Sequence, residues 1–341
     1  MDKSMISARF KTFADTECRG VSVLYDQLAQ EVAQDGELLD MCRHTREGQP
    51  IPNMLFGAVH YLLLRGQEHK LKHFYGSMVS HPKPPKDCFP YFKKFCLEKR
   101  DTLIPILKHK VVQTNEVRRC GYLYPCFCFI HEKVSRPLAL IEIGTSAGLQ
   151  LLWDKYRYSY GTDEMFGHPT SNVYIEATIK GGELPYLRVD SPPVISRTGL
   201  DLHINDVNDP DDALWLKALI WPDHHERRVL FDAAADEVKR YPLDLIEGDG
   251  VQLLPDIARR MPEEAAICVF HTHVANQIPD DVKATLLENI RTIGRERDIF
   301  HLYNNMYDRN LHLDYYMDGV GCTHTVGETD GHGSWFSWHL T

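Results

Sequence analysis

One short run of the chain gathers residues that could hold a ligand: Glu142-x-Gly144-Thr145-Ser146-x-Gly148. Glycines let a backbone approach a bound molecule closely, and a helix that follows such a turn offers unpaired N–H groups at its start. Glu142 precedes the turn at the end of an apolar segment, where a carboxylate accepts hydrogen bonds from hydroxyl or cationic groups. Two more carboxylates end later apolar segments. Asp201, in Gly199-Leu200-Asp201-Leu202, suits a ribose diol, and Asp249, in Glu247-Gly248-Asp249-Gly250, suits an adenine amine. Either aspartate also fits a plainer duty as a turn former or helix cap.

The same five residues, Gly144 to Gly148, match G-x-S-x-G, the nucleophile elbow of α/β-hydrolases. Ser146, Asp249 and a late histidine, His324 or His332, supply the required order. Against this, no oxyanion loop rich in glycine lies upstream, only one clear strand precedes the turn, and Glu142 stands where an apolar residue is more natural. His271 and His273 are two apart, so on a strand they would share a face. His271 is the candidate for proton transfer, since imidazole titrates near neutrality, and His273 would face a substrate beside it. A metal site needs a third ligand that the sequence does not name, so none is expected. Asn115, Glu116 and Arg119 form a polar group suited to lining a substrate pocket, an arginine holding an anion by two hydrogen bonds. The competing reading of that group is an interdomain salt-bridge network.

The elements that must place these residues follow from periodicity. Residues 1–135 read as a helical domain: Phe10, Phe13, Leu24, Leu28 and Val32 recur at helical spacing, and Met54 to Leu64 is a buried helix. From 136 to 341 strands and helices alternate. Leu138–Ile143 is a strand, and Leu149, Leu152, Trp153 and Tyr156 place an amphipathic helix directly after the glycine turn. Residues near 160–196 suggest an inserted β-hairpin. Strands follow at 199–202, 243–247, 266–271 and 299–304, with helices between them. Asp209, Asp211 and Asp212 open one helix as a cluster complementing its dipole. The end, 311–317 and 334–340, reads as an antiparallel pair. The expected fold is therefore α/β: a doubly wound, mostly parallel, Rossmann-like sheet with a C-terminal antiparallel hairpin, preceded by an all-helical domain.

Composition narrows the function. The 341 residues carry 38 Lys+Arg against 48 Asp+Glu, a net charge of −10, which disfavours nucleic acid and membrane surfaces as partners. With 43% hydrophobic and 25% charged residues the chain is neither disordered nor fibrous. Nine cysteines, with no C-x-x-C pair, suit a reducing compartment rather than a disulfide framework. The first residues lack an apolar leader, and the densest apolar run is too short to span a bilayer. A cytoplasmic protein acting on a small molecule is the expectation.

Two resemblances extend this reading. The turn with its acidic strand ends resembles the E/D-x-G-x-G-x-G motif of class I S-adenosylmethionine methyltransferases, with Ser146 at the middle glycine. That likeness implies S-adenosylmethionine as cofactor. Glu142, Gly144 and Gly148 would then line its methionine end, with Thr145 and Ser146 in the same turn, Asp201 on the ribose and Asp249 on the adenine. His271 would face the substrate after the fourth strand. The implied activity is methyl transfer to a small molecule. The alternatives are a binding or scaffold protein that kept the fold without the chemistry, which Ser146 motivates, and the serine hydrolase. Gln113–Cys120, Ile141–Leu149, Trp153–Tyr158, Gly199–Leu202 and Trp215–Pro222 together resemble the bacterial family known as domain of unknown function 2332. That resemblance implies that the helical and α/β parts belong together.

Overall fold

The computed structural model describes residues 2–182 and 184–340. The chain runs α1 (Lys3–Phe13), α2 (Val23–Val32), α3 (Gly36–Cys42), α4 (Ile51–Leu64), α5 (Phe89–Glu98), α6 (Arg100–His109) and α7 (Cys120–Val134). Then come β1 (Leu138–Ile143), β2 (Arg157–Ser159), β3 (Phe166–Gly167), β4 (Tyr174–Glu176), β5 (Thr178–Gly182) and β6 (Val194–Asp201). Next are α8 (Pro210–Leu219), α9 (His225–Arg240), β7 (Asp244–Glu247), α10 (Gly250–Arg260), β8 (Ala266–His271) and α11 (Asp280–Gly294). β9 (Ile299–Asn304), β10 (Leu311–Met317), β11 (Val320–Gly327) and β12 (Trp335–Trp338) complete it.

Two compact units emerge, one of Met1–Thr114 with Asn208–Val229, the other of Asn115–Val207 with Leu230–Thr341. Against the 1–135 and 136–341 division expected from sequence, α7 falls in the second unit and residues 208–229 fall in the first. The change of composition near Pro137 marks the start of β1, not the edge of a unit. Within the first unit α4 is buried on nearly all sides, as its unbroken apolar run requires. Gly57 lets α8 come close, because a Cβ there would lie 2.8 Å from the Leu219 side chain. The acidic cluster is a cap: Asp209 accepts the N–H groups of Asp211 and Asp212 at the start of α8.

In the second unit seven strands form one sheet in the order β11-β10-β9-β8-β1-β6-β7. Strands β7, β6, β1, β8 and β9 are mutually parallel, and β10 runs antiparallel to both β9 and β11. The sheet is α/β and Rossmann-like with a terminal hairpin. Its central strands β1, β8 and β9 are buried at every residue, which accounts for their continuous apolar sequence.

Three local expectations are corrected. The terminal hairpin pairs Leu311–Met317 with Val320–Gly327, while Trp335–Trp338 pairs parallel with β5 in a separate sheet. The segment expected as a hairpin near 160–196 divides between sheets instead: β2 pairs antiparallel with β3 and parallel with β4, and β5 joins β12. No α-helix follows the glycine turn; Leu149–Lys155 is a 3₁₀ segment interrupted at Leu152. The reason is burial on all sides. Leu149, Leu151, Leu152 and Trp153 are all enclosed, and Trp153 stacks on Phe127 with ring centroids 4.4 Å apart. The hydroxyls of Tyr156 and Tyr158 donate to the carbonyls of Leu149 and Trp153, each at 2.5 Å, satisfying acceptors that a longer helix would have paired.

Candidate functional site

The glycine turn is built on the end of β1, beside β6. The N–H groups of Gly144 and Thr145 donate to the Leu200 carbonyl at 2.8 and 3.3 Å. Gly144 (φ +76°) and Gly148 (φ +75°) take the conformation that glycine adopts freely, and Ser146 shares it at φ +53°. Serine tolerates that strained backbone because it is tied on every side. Its N–H donates to Asp201 Oδ2 at 2.7 Å, and its Oγ accepts from Asn115 Nδ2 at 2.8 Å and Asn205 Nδ2 at 3.1 Å. Asn115 also accepts the Ala147 N–H at 3.3 Å. Asn115 is thus placed at this turn, as a brace for its backbone.

The three carboxylates have different surroundings. Glu142 is 4% exposed, and its Oε2 accepts the Thr145 hydroxyl at 2.6 Å. Burial pushes its pKa up to about 8; the Thr145 bond and the nearby Arg119 work against the rise, and Asp201 adds to it. Asp201 accepts the N–H of Ser146 with one oxygen and that of His203, at 3.0 Å, with the other. Burial raises its pKa as well, opposed by those backbone donors. Asp249 is exposed and caps α10, accepting from Val251 and Gln252. The plainer reading of Asp249 therefore describes its bonds, and Asp201 works first as a clamp on the turn.

Room at the glycines is taken by the chain itself. A Cβ on Gly144 would lie 2.3 Å from Val274 Cγ2, and one on Gly148 would lie 2.5 Å from Leu243 Cδ1. Side chains of the protein occupy the space that close approach of a ligand to those backbones would need.

Beyond β8 the chain turns sharply. His271 is the last residue of the strand and wholly enclosed, while His273 lies past its end at φ +56°. The two imidazoles do not share a strand face, because the left-handed residue breaks the alternation. His271 Nε2 is 3.1 Å from His301 Nε2 on β9, and Nδ1 of each ring has no hydrogen-bond partner. Burial drives the His271 pKa down to about 4 and holds His301 well below its ordinary value. His273 donates its N–H to Asn304 Oδ1 at 2.8 Å. Burial, reinforced by Arg119 and His332, lowers its pKa to about 3 against the pull of Asp330.

Arg119 joins these parts. It is 5% exposed; Nε donates to the Gly331 carbonyl at 3.0 Å, and Nη1 reaches the Thr272 carbonyl and hydroxyl at 3.4 and 3.3 Å. The Thr272 hydroxyl donates to Gln150 Oε1 at 3.1 Å, and Gln150 Nε2 donates to the Glu116 carbonyl at 3.3 Å. Glu116 is enclosed, with His332 Nδ1 at 3.4 Å from its Oε2. Asn115, Glu116, Arg119 and His273 thus belong to one polar assembly at the carboxyl ends of β1 and β8, beside Glu142. Sequence reasoning missed Thr272, Gln150, His301 and Asn304. The available signal was a polar residue inside an apolar run, as in Ile299-Phe-His-Leu-Tyr-Asn304.

The hydrolase constellation is not assembled. Ser146 Oγ is bonded by two amides, Asp249 caps a helix, His324 faces the Tyr315 hydroxyl at 3.3 Å, and His332 faces Glu116. Among the described residues no group of three or more His, Cys, Asp or Glu side chains is placed to hold a metal ion. No helix of the described residues is long and apolar enough to cross a membrane.

Comparison with known proteins gives one family. The model of a family described as an uncharacterized protein conserved in bacteria, domain of unknown function 2332, matches residues 7–338. No curated protein and no solved structure matches the chain.

Proposed function

The chain belongs to the bacterial family of domain of unknown function 2332, and from the arrangement of its strand ends we propose that the second unit binds a small molecule at the carboxyl ends of β1 and β8. One observation carries this reading. Among the described residues five non-glycine residues have positive φ, and three of them, Ser146, His273 and Asn305, follow the ends of the adjacent strands β1, β8 and β9. The other two have local explanations: Ser135 ends α7 and Asp318 forms the β10–β11 turn. Such residues cost on the order of 1–3 kcal/mol each and gather where function demands a fixed backbone. The strand order supports the same place. From β1 the sheet grows through β6 and β7 on one side and through β8 and β9 on the other. The divide between β1 and β8 is a topological switch point, where open α/β sheets seat their ligands.

Glu142 gives this floor its chemical character. A carboxyl with its pKa near 8 carries its proton at neutral pH. It accepts the Thr145 hydroxyl on Oε2 and has a proton to donate to a ligand. The fitting activity is recognition of a polar small molecule, in which the Glu142 carboxyl takes part as a neutral donor and acceptor.

The second reading is methyl transfer from S-adenosylmethionine, favoured by the acidic residue closing β1 and by the parallel strand order. The residues as folded do not fit that cofactor: Val274 fills the turn at Gly144, Asp201 is spent on two backbone N–H groups, and Asp249 caps α10. Thermal denaturation against a panel of metabolites, S-adenosylmethionine and S-adenosylhomocysteine included, tests both readings. A ligand at a hundred times its Kd adds about 2.7 kcal/mol of stability. A response to either adenosyl compound restores the methyltransferase reading. A response to another metabolite, lost in Thr272→Val, supports the binding reading, and silence across the panel contradicts it.

A further inference from the structure

We infer that the ligand of this site carries an oxyanion, a carboxylate or a phosphate, and that Arg119 is its counter-ion; this rests on the proposed binding site. Counting donors leads there. A guanidinium has five N–H groups. In Arg119 the one on Nε and the two on Nη1 meet the Gly331 carbonyl, the Thr272 carbonyl and the Thr272 hydroxyl, all neutral acceptors. Nη2, with two more, has no hydrogen-bond partner among the described residues.

Charge points the same way. A side chain 95% withdrawn from water normally has a carboxylate against it, because an unpaired buried charge is costly. Among the described residues none lies within ion-pair distance of Arg119. Glu142 is near enough to feel the guanidinium, yet burial holds its proton in place, so it does not supply the missing charge. Glu116, three residues earlier, has its carboxyl beside the Arg118 N–H and His332. The structure spends a buried cation, gives it only neutral hydrogen-bond partners, and keeps the Glu142 carboxyl that feels it protonated. An anionic ligand completes that arrangement, with Nη2 donating to its oxygens and the Glu142 proton available to a neighbouring atom.

The test compares thermal unfolding of the wild-type chain and Arg119→Gln at fixed pH and ionic strength, with chloride replaced by inorganic phosphate or by acetate. General salt effects are the same in both proteins. The inference expects a rise in Tm for the wild type with at least one of the two salts, and a loss of affinity in Arg119→Gln on the order of 10- to 100-fold. Which salt acts distinguishes phosphate from carboxylate. An equal rise in both proteins, or no rise in the wild type, overturns it. If uncharged adenosine stabilises a wild-type protein that ignores both anions, the oxyanion inference falls and the site stands. Should Arg119→Gln fail to fold, Arg119→Lys keeps the charge without the planar fork. Weaker binding in that variant supports the inference, and unchanged binding overturns it.

Discussion

The backbone N–H of Ser146 donates to Asp201 Oδ2 at 2.7 Å, so the carboxylate ending β6 holds the turn that leaves β1. The bond joins two neighbouring strand ends and keeps a serine in a conformation that glycine would take without strain. It also turns Asp201 from a free acceptor into part of the scaffold beneath the site.

Substitutions at Ser146 separate strain from bonding. Ser146→Ala keeps the positive φ but leaves the Asn115 and Asn205 amides without their acceptor, and costs about 1–3 kcal/mol in a urea unfolding experiment. Ser146→Gly loses the same acceptor while relieving the backbone, so it is less destabilising than alanine by roughly 1 kcal/mol. Equal losses in the two variants would remove backbone strain from the account.

Gly144→Ala meets Val274 as well as an unfavourable φ, with the new Cβ 2.3 Å from Val274 Cγ2. A loss of several kcal/mol follows, on the order of 2–4. Val274→Ala in the same chain recovers part of it, and a double-mutant cycle should show coupling of about 1 kcal/mol or more. Additive losses would mean that Val274 does not press on the turn.

Glu142 makes stability depend on pH in an unusual direction. Its folded pKa, about 8, lies above its ordinary value of 4.5, so between those limits the folded state holds a proton that the unfolded state has lost. Stability from this group is full below pH 4.5 and declines as pH rises toward 8, by at most about 1.4 kcal/mol per unit. Glu142→Gln keeps an acceptor for Thr145 and removes the titration. The gap in unfolding free energy between variant and wild type should shift in the variant's favour from pH 5 to pH 8; a gap that stays constant would contradict the raised pKa.

His271 and His301 have the opposite sign. Both are held neutral by burial, His271 with a pKa near 4 against an ordinary 6.5. Below pH 6.5 the unfolded chain takes up protons that the folded chain refuses. Stability from the pair is therefore whole above 6.5 and falls as pH drops toward 4, at up to about 1.4 kcal/mol per unit for each ring. Urea midpoints of Glu142→Gln, in which the glutamate no longer contributes, should decline across that window. A flat profile would mean that the histidines are hydrated.

Sequence periodicity was a good guide where burial is one-sided or uniform. The strands ending at Ile143, His271 and Asn304 and the cap at Asp209 follow from apolar runs and local capping chemistry. It failed at 149–156, where the i, i+3, i+4, i+7 pattern coexists with a buried Leu151 and with tyrosines that bond back to the carbonyls. In the polar assembly at the ends of β1 and β8, residue types drew attention to Glu142, Arg119 and His273, but not to their partners. Contacts there join neighbours distant in sequence: Val274 against Gly144, His301 against His271, Gly331 against Arg119. No local pattern encodes such pairings.

The central claim is that a small molecule sits where β1 and β8 end. Hydrogen–deuterium exchange with and without a saturating compound from the thermal screen tests it directly. The account predicts protection concentrated in residues 142–150, 271–275 and 304–306. Protection confined to the first unit, or to the β10–β11 hairpin, would contradict it.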